Sequence, residues 1–87
     1  MRKNLMCRVL TVSQQNEPLE LEYYLLTTEG VTDTYGILVR MYFRGVWECM
    51  HYRYITMSYP RIMELIELLS RASVTPTTLG EVLQDIL

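Results

Sequence analysis

The sequence predicts an α+β fold: a four-stranded antiparallel β-meander followed by two C-terminal helices packed on one sheet face. The N-terminal part contains four runs of β-forming or alternating residues separated by turn residues. The C-terminal part contains two segments with apolar residues at helical spacing, each beginning near a proline. We expect the 87 residues to form a single domain over 1–87, with the sheet over about 5–55 and helices over about 59–72 and 76–86.

The first two strands are predicted on either side of a polar break. Residues 5–12 are rich in β-forming side chains, and residues 14–18 are polar and end in a proline. Residues 19–25 then alternate strictly between apolar and other side chains, which is typical of a strand with one wet face. One face of this strand carries Leu19, Leu21, Tyr23 and Leu25, and the other carries Glu20, Glu22, Tyr24 and Leu26.

The third strand is predicted over residues 35–44, which also alternate. One of its faces carries Arg40 and Arg44, so we expect the opposite, apolar face to point inward. Gly36, near the start of the strand, indicates a bulge or a close approach of another backbone. The inward set is Ile37, Val39, Met41 and Phe43.

The fourth strand is predicted over residues 46–55, after a tight hairpin turn at Arg44-Gly45. Each of its two faces carries a charged residue, so the alternation leaves open which face is buried. We favour the interpretation in which Arg53 lies near the sheet rim and three residues point inward, namely Trp47, Cys49 and Ile55.

Two short helices complete the predicted fold. Ser58 or Tyr59 is the expected cap of the first helix, and Pro60 lies in its first turn, where a missing N–H costs nothing. Thr75 is the expected cap of the second, with Pro76 in its first position. Gly80 would permit a close approach of this helix to the sheet. The apolar stripes are Ile62, Leu65, Ile66, Leu69 and Ala72 in the first helix, and Leu79, Val82, Leu83, Ile86 and Leu87 in the second.

The charge distribution bears on the class of partner. The net charge is −2 and the pI about 5.3, so the protein as a whole does not have the charge of a nucleic-acid binder. Residues 40–61 nevertheless contain one acid, Glu48, against His51 and four arginines. This segment forms either a local basic patch or ordinary solvated strand faces that carry arginine, and we favour the second interpretation. The arginines are Arg40, Arg44, Arg53 and Arg61.

The cysteines and the hydropathy favour a cytoplasmic protein. Cys7 and Cys49 have neither the number nor the spacing of a disulfide framework or a zinc site, so we expect reduced thiols that act as small apolar side chains. Arg8 interrupts the first apolar stretch, which argues against a secretory leader. No apolar run approaches the roughly 20 residues that span a bilayer. We expect no metal and no cofactor.

Catalytic constellations are weak in this sequence. Cys49 and His51 would share a strand face, but their Cβ atoms would lie about 6.5–7 Å apart, too far for a reliable nucleophile–base hydrogen bond. A small buried cysteine beside a partly exposed histidine is the favoured interpretation. The carboxylate pairs Glu20/Glu22 and Glu64/Glu67 are expected on solvated faces. The prediction is therefore a protein that is not an enzyme.

The uncovered face of the sheet is the candidate site, because two helices can cover only one face. Tyrosine and arginine predominate on its predicted surface, and both are enriched at binding hot spots. We expect this face to bind a protein partner or a second copy of the chain; the alternatives are a single-stranded nucleic-acid-binding module or plain solvated packing of tyrosine against arginine. The candidate contact residues are Tyr24, Arg40, Tyr42, Arg44, Tyr52 and Tyr54.

Several segments, taken in order, resemble a family of short bacterial proteins from clostridia-type Firmicutes, a domain of unknown function. They are residues 22–26 (Glu-Tyr-Tyr-Leu-Leu), 34–37 (Thr-Tyr-Gly-Ile), 55–56, 65–69 and 74–85, which begins Val-Thr-Pro. The resemblance covers roughly positions 20–87 and implies a bacterial cytoplasmic protein, with no catalytic residues to carry over. The sequence departs from the family in strands three and four, where a family-like charged pattern gives way to apolar and aromatic residues.

Overall fold

The computed structural model describes residues 1–87 and has the predicted α+β architecture. Four antiparallel strands follow one another across a single sheet in the order β1-β2-β3-β4, and two helices pack on that sheet. Neither helix is long and apolar enough to span a membrane. The elements are β1 (Arg2–Val12), β2 (Pro18–Thr28), β3 (Thr34–Phe43), β4 (Val46–Thr56), α1 (Tyr59–Arg71) and α2 (Leu79–Ile86).

The turn between β3 and β4 determines which way the side chains of β4 point. Arg44 and Gly45 have φ angles of 52° and 78°, the left-handed pair that a two-residue hairpin turn requires. Phe43 and Val46 therefore face each other across the turn and share one side of the sheet. Since Phe43 lies on the side that the helices cover, every second residue from Val46 onward lies on that side as well.

This register contradicts the inward placement of Trp47 and Cys49. Trp47 lies opposite Tyr42 and Cys49 opposite Arg40, on the side away from the helices, and both are exposed. The side facing the helices instead carries Val46, Glu48, Met50 and Tyr52. The prediction was wrong because it weighed the chemistry of each face and did not count residues across the turn.

Ile55 packs against the core as predicted and lies near the end of β4, where the register shifts. Tyr52 lies opposite Ile37, but Thr56 lies opposite Tyr35, so β4 has more residues than β3 between these two pairs. Gly36 makes this irregularity feasible. A Cβ at that position would lie 2.1 Å from the carbonyl oxygen of Tyr52, so the prediction of a bulge and a close backbone approach is confirmed.

The first helix begins as predicted and the second begins later. Ser58 caps α1 by accepting a hydrogen bond from the Arg61 N–H. Residues 76–78 form a turn and not the first turn of α2, which starts at Leu79 with Thr78 as its cap. The carbonyl of Thr75 accepts a hydrogen bond from the Thr78 N–H at 3.2 Å, so Thr75 begins the turn before the helix instead of capping the helix.

A single hydrophobic core lies between the helices and the two central strands. The loop between the helices is tied to it, because the buried Tyr23 hydroxyl donates to the Val74 carbonyl at 2.8 Å. The Val74 N–H donates in turn to the Leu69 carbonyl, while Ser73 adopts a left-handed φ of 51° that ends α1. The buried core consists of Leu21, Tyr23, Leu25, Ile37, Val39, Ile62, Leu65, Ile66, Leu69, Val74, Leu79 and Leu83.

Candidate functional site

The side of the sheet away from the helices, which we call the open face, is organised in rows that cross the strands. In an antiparallel sheet, residues that lie opposite each other share a face, so the register defines each row. A charged row lies between two rows that are mostly apolar or aromatic. The first row is Leu10, Glu20, Tyr42 and Trp47; the second is Arg8, Glu22, Arg40 and Cys49; the third is Leu5, Tyr24, Leu38 and His51.

Glu22 is the centre of the charged row and is almost completely buried, with 3% of its surface exposed. Its carboxylate accepts hydrogen bonds from Arg40 Nε at 2.9 Å, from Arg8 Nη2 at 3.0 Å and from the Tyr24 hydroxyl at 3.0 Å. Arg8 also contacts Glu20 at 2.9 Å. The expectation that Glu22 lies on a solvated face is wrong, because two arginines and a tyrosine cover it from the neighbouring strands.

These contacts set the protonation state of the row. Burial by itself would raise the pKa of Glu22, but the hydrogen bonds from Arg8 and Tyr24, together with the charge and hydrogen bond of Arg40, outweigh it and lower the pKa. Glu22 is therefore a carboxylate at neutral pH. The pKa of the Tyr24 hydroxyl is raised by burial and by its hydrogen bond to that carboxylate. At neutral pH the two arginines of the row are therefore balanced by Glu22 within the row and by Glu20 of the neighbouring row.

The aromatic end of the open face adjoins this network. The Arg40 guanidinium lies 3.8 Å from the centre of the Trp47 ring, within the range of a cation–π contact. Tyr42 and Trp47 have ring centres 4.9 Å apart. Leu10, in the same row, is 77% exposed, while Trp47 is 45% and Tyr42 40% exposed. We call Leu10, Tyr42 and Trp47 together with Arg40 the aromatic patch.

The structure brings only part of the predicted contact set together. Tyr24, Arg40 and Tyr42 lie on the open face as expected. Arg44 lies in the hairpin turn, where Glu17 accepts two hydrogen bonds from its guanidinium and has its pKa lowered by them.

Tyr52 and Tyr54 do not belong to the open face. Tyr52 lies on the side that the helices cover, and both tyrosines line a shallow groove of about 770 Å³ between β4 and α2. Gly80 forms part of the groove wall. A Cβ there would lie 2.7 Å from the Tyr52 hydroxyl, so the predicted close approach of α2 to the sheet is confirmed. Placing Tyr52 with Tyr42 was wrong for the reason that applies to Trp47, the register of β4.

The arginines of residues 40–61 form no continuous basic patch. Arg40 is paired with Glu22, Arg44 with Glu17 and Arg61 with Glu64, so three of the four contact carboxylates. These partners include glutamates from outside the segment, which a count along the sequence does not include.

The weak catalytic candidates can also be placed. Cys49 and His51 lie on the open face and are exposed, which contradicts the expected buried cysteine, and no hydrogen bond joins their side chains. No group of three or more His, Cys, Asp or Glu side chains is placed to hold a metal ion.

The sequence prediction missed Trp47 and Leu10 of the aromatic patch, and Glu22 and Arg8 of the charged row. A signal for Trp47 was present, since a two-residue turn places it opposite Tyr42. Glu22 could have been found from the register of β1, β2 and β3, which places it between Arg8 and Arg40.

Comparison with known proteins gives a family for the chain. The model of a family of unknown function, DUF6514, matches residues 2–87. The chain belongs to this family. No curated protein matches the DUF6514 chain, and no solved structure matches it.

Several of the segments that carried the resemblance make contacts between elements of the fold of this DUF6514 chain. The Tyr-Tyr-Leu-Leu and Val-Thr-Pro segments contact each other through the hydrogen bond from Tyr23 to Val74. Gly36, in the Thr-Tyr-Gly-Ile segment, admits the backbone of β4. The family match extends beyond the predicted positions 20–87 and includes β1.

Proposed function

We propose that this chain is a small protein-interaction module that acts by binding and not by catalysis, with the aromatic patch as its contact surface. The single observation that carries the proposal is the grouping of exposed Leu10, Tyr42 and Trp47 around Arg40 on a sheet face that no other element covers. Tyrosine, tryptophan and arginine are the residue types that dominate binding hot spots.

The order of the aromatic patch supports this role. Binding loses free energy when flexible side chains must be immobilised, at about 0.5–1.5 kcal/mol for each one. Here Arg40 is already held by Glu22 and lies over the Trp47 ring, and Tyr42 packs against that ring. These side chains therefore have little conformational freedom left to lose when a partner covers them.

The charge balance favours a protein over a nucleic acid as the partner. Binding of single strands depends on cationic groups that neutralise phosphates. Both arginines of the charged row already contact glutamates, and the net charge of the chain is −2. A phosphate would have to displace Glu22 from its three donors. The favoured partner surface is consequently apolar, with acceptor groups at its rim.

The double variant Leu10→Glu/Tyr42→Glu tests the proposal, because both side chains are exposed and neither belongs to the core. The control is Val31→Glu, which places a single glutamate in the exposed loop between β2 and β3. Complexes with other proteins, purified from the native host and measured by mass under native conditions, should be lost in the double variant and kept in the control.

Three outcomes would count against the proposal. They are association with another protein that the double variant leaves intact, absence of any protein or second copy bound through the aromatic patch at every concentration tested, and retention on single-stranded DNA at low salt that increasing salt removes. The last would favour the nucleic-acid alternative.

We also propose the setting in which the module works, a bacterial cytoplasm of the clostridial type. The reduced Cys7 and Cys49, which form no disulfide, support a reducing compartment. Fractionation of native cells that finds the protein outside the cytoplasm would contradict this part of the proposal.

A further inference from the structure

The two edges of the sheet differ in how well they are protected from pairing with another strand. β1 carries Arg2, Lys3 and Arg8 and has a register shift between Leu5 and Cys7. Charges and bulges are the devices by which proteins block an edge strand. The edge at β1 is therefore guarded from Arg2 to Arg8.

The edge at β4 lacks these devices over most of its length. β4 has 11 residues, it is the last strand in the sheet order, and it contains neither proline nor lysine. Its side chains are exposed from Val46 to Tyr54, and its register shift lies only beyond Tyr52. Only Glu48 and Arg53 carry a formal charge at neutral pH. One row of its backbone N–H and C=O groups faces away from β3 and has no strand partner.

We propose that β4 pairs with β4 of a second copy of this chain, antiparallel and around a two-fold axis perpendicular to the sheet. The inference deepens the proposed function by naming one partner, and it rests on that function only in treating the chain as a binding module. A two-fold axis in this orientation keeps the helices of both copies on the same side. The two four-stranded sheets would then form one continuous sheet of eight strands.

Symmetry restricts the register of the pair, and side-chain complementarity favours one of the registers that remain. Residues that lie opposite each other must share a face. The two-fold axis therefore lies between the two copies of one residue, so that this residue is opposite its own copy in the partner subunit. An axis at Glu48 or at Arg53 would place like charges opposite each other. An axis at Met50 places Glu48 opposite Tyr52 of the partner subunit, whose hydroxyl can donate to the carboxylate. It also places Trp47 opposite Arg53 of the partner subunit, a cation beside an aromatic ring.

This register also covers apolar surface that the monomer exposes. Met50, which is 44% exposed, would meet Met50 of the partner subunit at the axis. Val46, which is 57% exposed, would lie opposite Tyr54 of the partner subunit, at the groove between β4 and α2. The open faces of both copies would lie side by side, so Leu10, Arg40 and Tyr42 of each aromatic patch, which lie on β1 and β3, would stay accessible to a further protein.

Sedimentation of Met50→Lys tests the edge, since an inward or paired lysine is a strong block to strand addition. The control is Met57→Lys, the same substitution at a 68% exposed methionine just beyond β4. We expect the wild type and the control to approach twice the monomer mass of 10.3 kDa at about 500 µM, and Met50→Lys to remain monomeric. A monomeric wild type at that concentration, or a dimeric Met50→Lys, would overturn the inference.

Crosslinking tests the register without relying on a disruptive substitution. In a Cys7→Ser/Cys49→Ser background, Met50→Cys places two thiols on opposed residues whose Cα atoms are about 5 Å apart. Val46→Cys places them eight positions apart along the strands, about 27 Å. A short bismaleimide should join the first pair and leave the second unlinked; the reverse pattern would contradict the register.

The same measurements separate this inference from the proposed function. The Leu10→Glu/Tyr42→Glu variant should keep the dimer mass, because neither residue lies on β4. If that variant becomes monomeric while Met50→Lys stays dimeric, the edge inference is wrong and the open-face proposal stands. If Met50→Lys alone is monomeric and no further protein binds the open face, the inference stands and the proposed partner surface does not.

Discussion

Glu22→Gln is the substitution that most directly tests the charged row. The side chain keeps its size and shape but loses its charge, and its amide group presents a donor to a site that now contains only donors. Three hydrogen bonds converge on this carboxylate, two of them from guanidinium groups. We therefore expect a loss of stability that clearly exceeds the effect of an ordinary surface substitution.

The magnitude follows from the exposure of the partners. Hydrogen bonds to a charged group contribute about 1.5–3 kcal/mol each, and breaking a fully buried ion pair costs about 3–5 kcal/mol. The side chains of Arg8 and Arg40 remain 55% and 36% exposed, so water recovers much of their solvation when Glu22 loses its charge. The expected loss is about 2 kcal/mol in the free energy of unfolding, which lowers the melting temperature of a domain this size by about 8–16 °C.

Urea denaturation at two pH values measures the loss and tests its cause. The folded pKa of Glu22 lies below its unfolded value, so its contribution is complete above the unfolded pKa and disappears as the pH falls through the folded pKa. The difference between wild type and Glu22→Gln should therefore begin to shrink as the pH falls below the unfolded value of about 4.5, and shrink further as the pH falls through the lower folded pKa. The control Glu48→Gln, an exposed glutamate on β4 with no salt bridge, should change stability by less than about 0.5 kcal/mol. A Glu22→Gln loss as small as the control's, or one that does not change at low pH, would refute the reasoning.

Two further predictions concern the hydrogen bond from Tyr23 to the loop between the helices, and the two glycines at close contacts. Tyr23→Phe should lower the free energy of unfolding by about 1–2 kcal/mol, because the Val74 carbonyl loses its hydrogen-bond donor. Since burial raises the pKa of Tyr23, its contribution is complete below about pH 10 and decreases above it, so urea curves of wild type and variant should converge at higher pH. Gly36→Ala should lower the free energy of unfolding by more than about 3 kcal/mol, because the new Cβ would lie 2.1 Å from the backbone of β4. The new Cβ of Gly80→Ala meets the Tyr52 hydroxyl instead, which is the movable end of a side chain. Gly80→Ala should therefore leave the melting temperature almost unchanged. In a Tyr52→Phe background the same substitution should be more favourable, by up to about 1 kcal/mol in the free energy of unfolding. Equal effects of Gly36→Ala and Gly80→Ala would contradict this account.

The sequence predicts most of this fold because the strongest patterns coincide with the core. The alternation of residues 19–25 indicates both the strand and its buried face, since the helices cover Leu21, Tyr23 and Leu25. Ser58 and Pro60 likewise place the start of α1. The start of α2 was missed because a threonine before a proline also suits a turn, and here the Thr78 N–H bonds to the Thr75 carbonyl in that turn.

The candidate site was less predictable because it depends on residues that are distant in the chain. The side chains of β4 carry no clear alternation, since this edge strand is exposed on both of its faces from Val46 to Tyr54. Counting from Phe43 across the turn would have placed Trp47 beside Tyr42. The burial of Glu22, in contrast, requires the register of three strands at once, because Arg8 and Arg40 lie on either side of β2. A prediction made one strand at a time has no means of finding that contact.

Stability and surface order are coupled in this molecule through Arg40. Its guanidinium donates to the buried Glu22 and also lies over the ring of Trp47, the single tryptophan of the chain. Loss of the Glu22 charge would therefore release a group that positions the aromatic patch, even in a protein that remains folded. Because the cation is already neutralised within the sheet, the patch presents arginine to a partner as a flat surface with hydrogen-bond donors and not as a free positive charge. The open face is thus adapted to contacts that depend on shape and apolar area. The number of basic residues within 40–61 is therefore a poor guide to what this face binds.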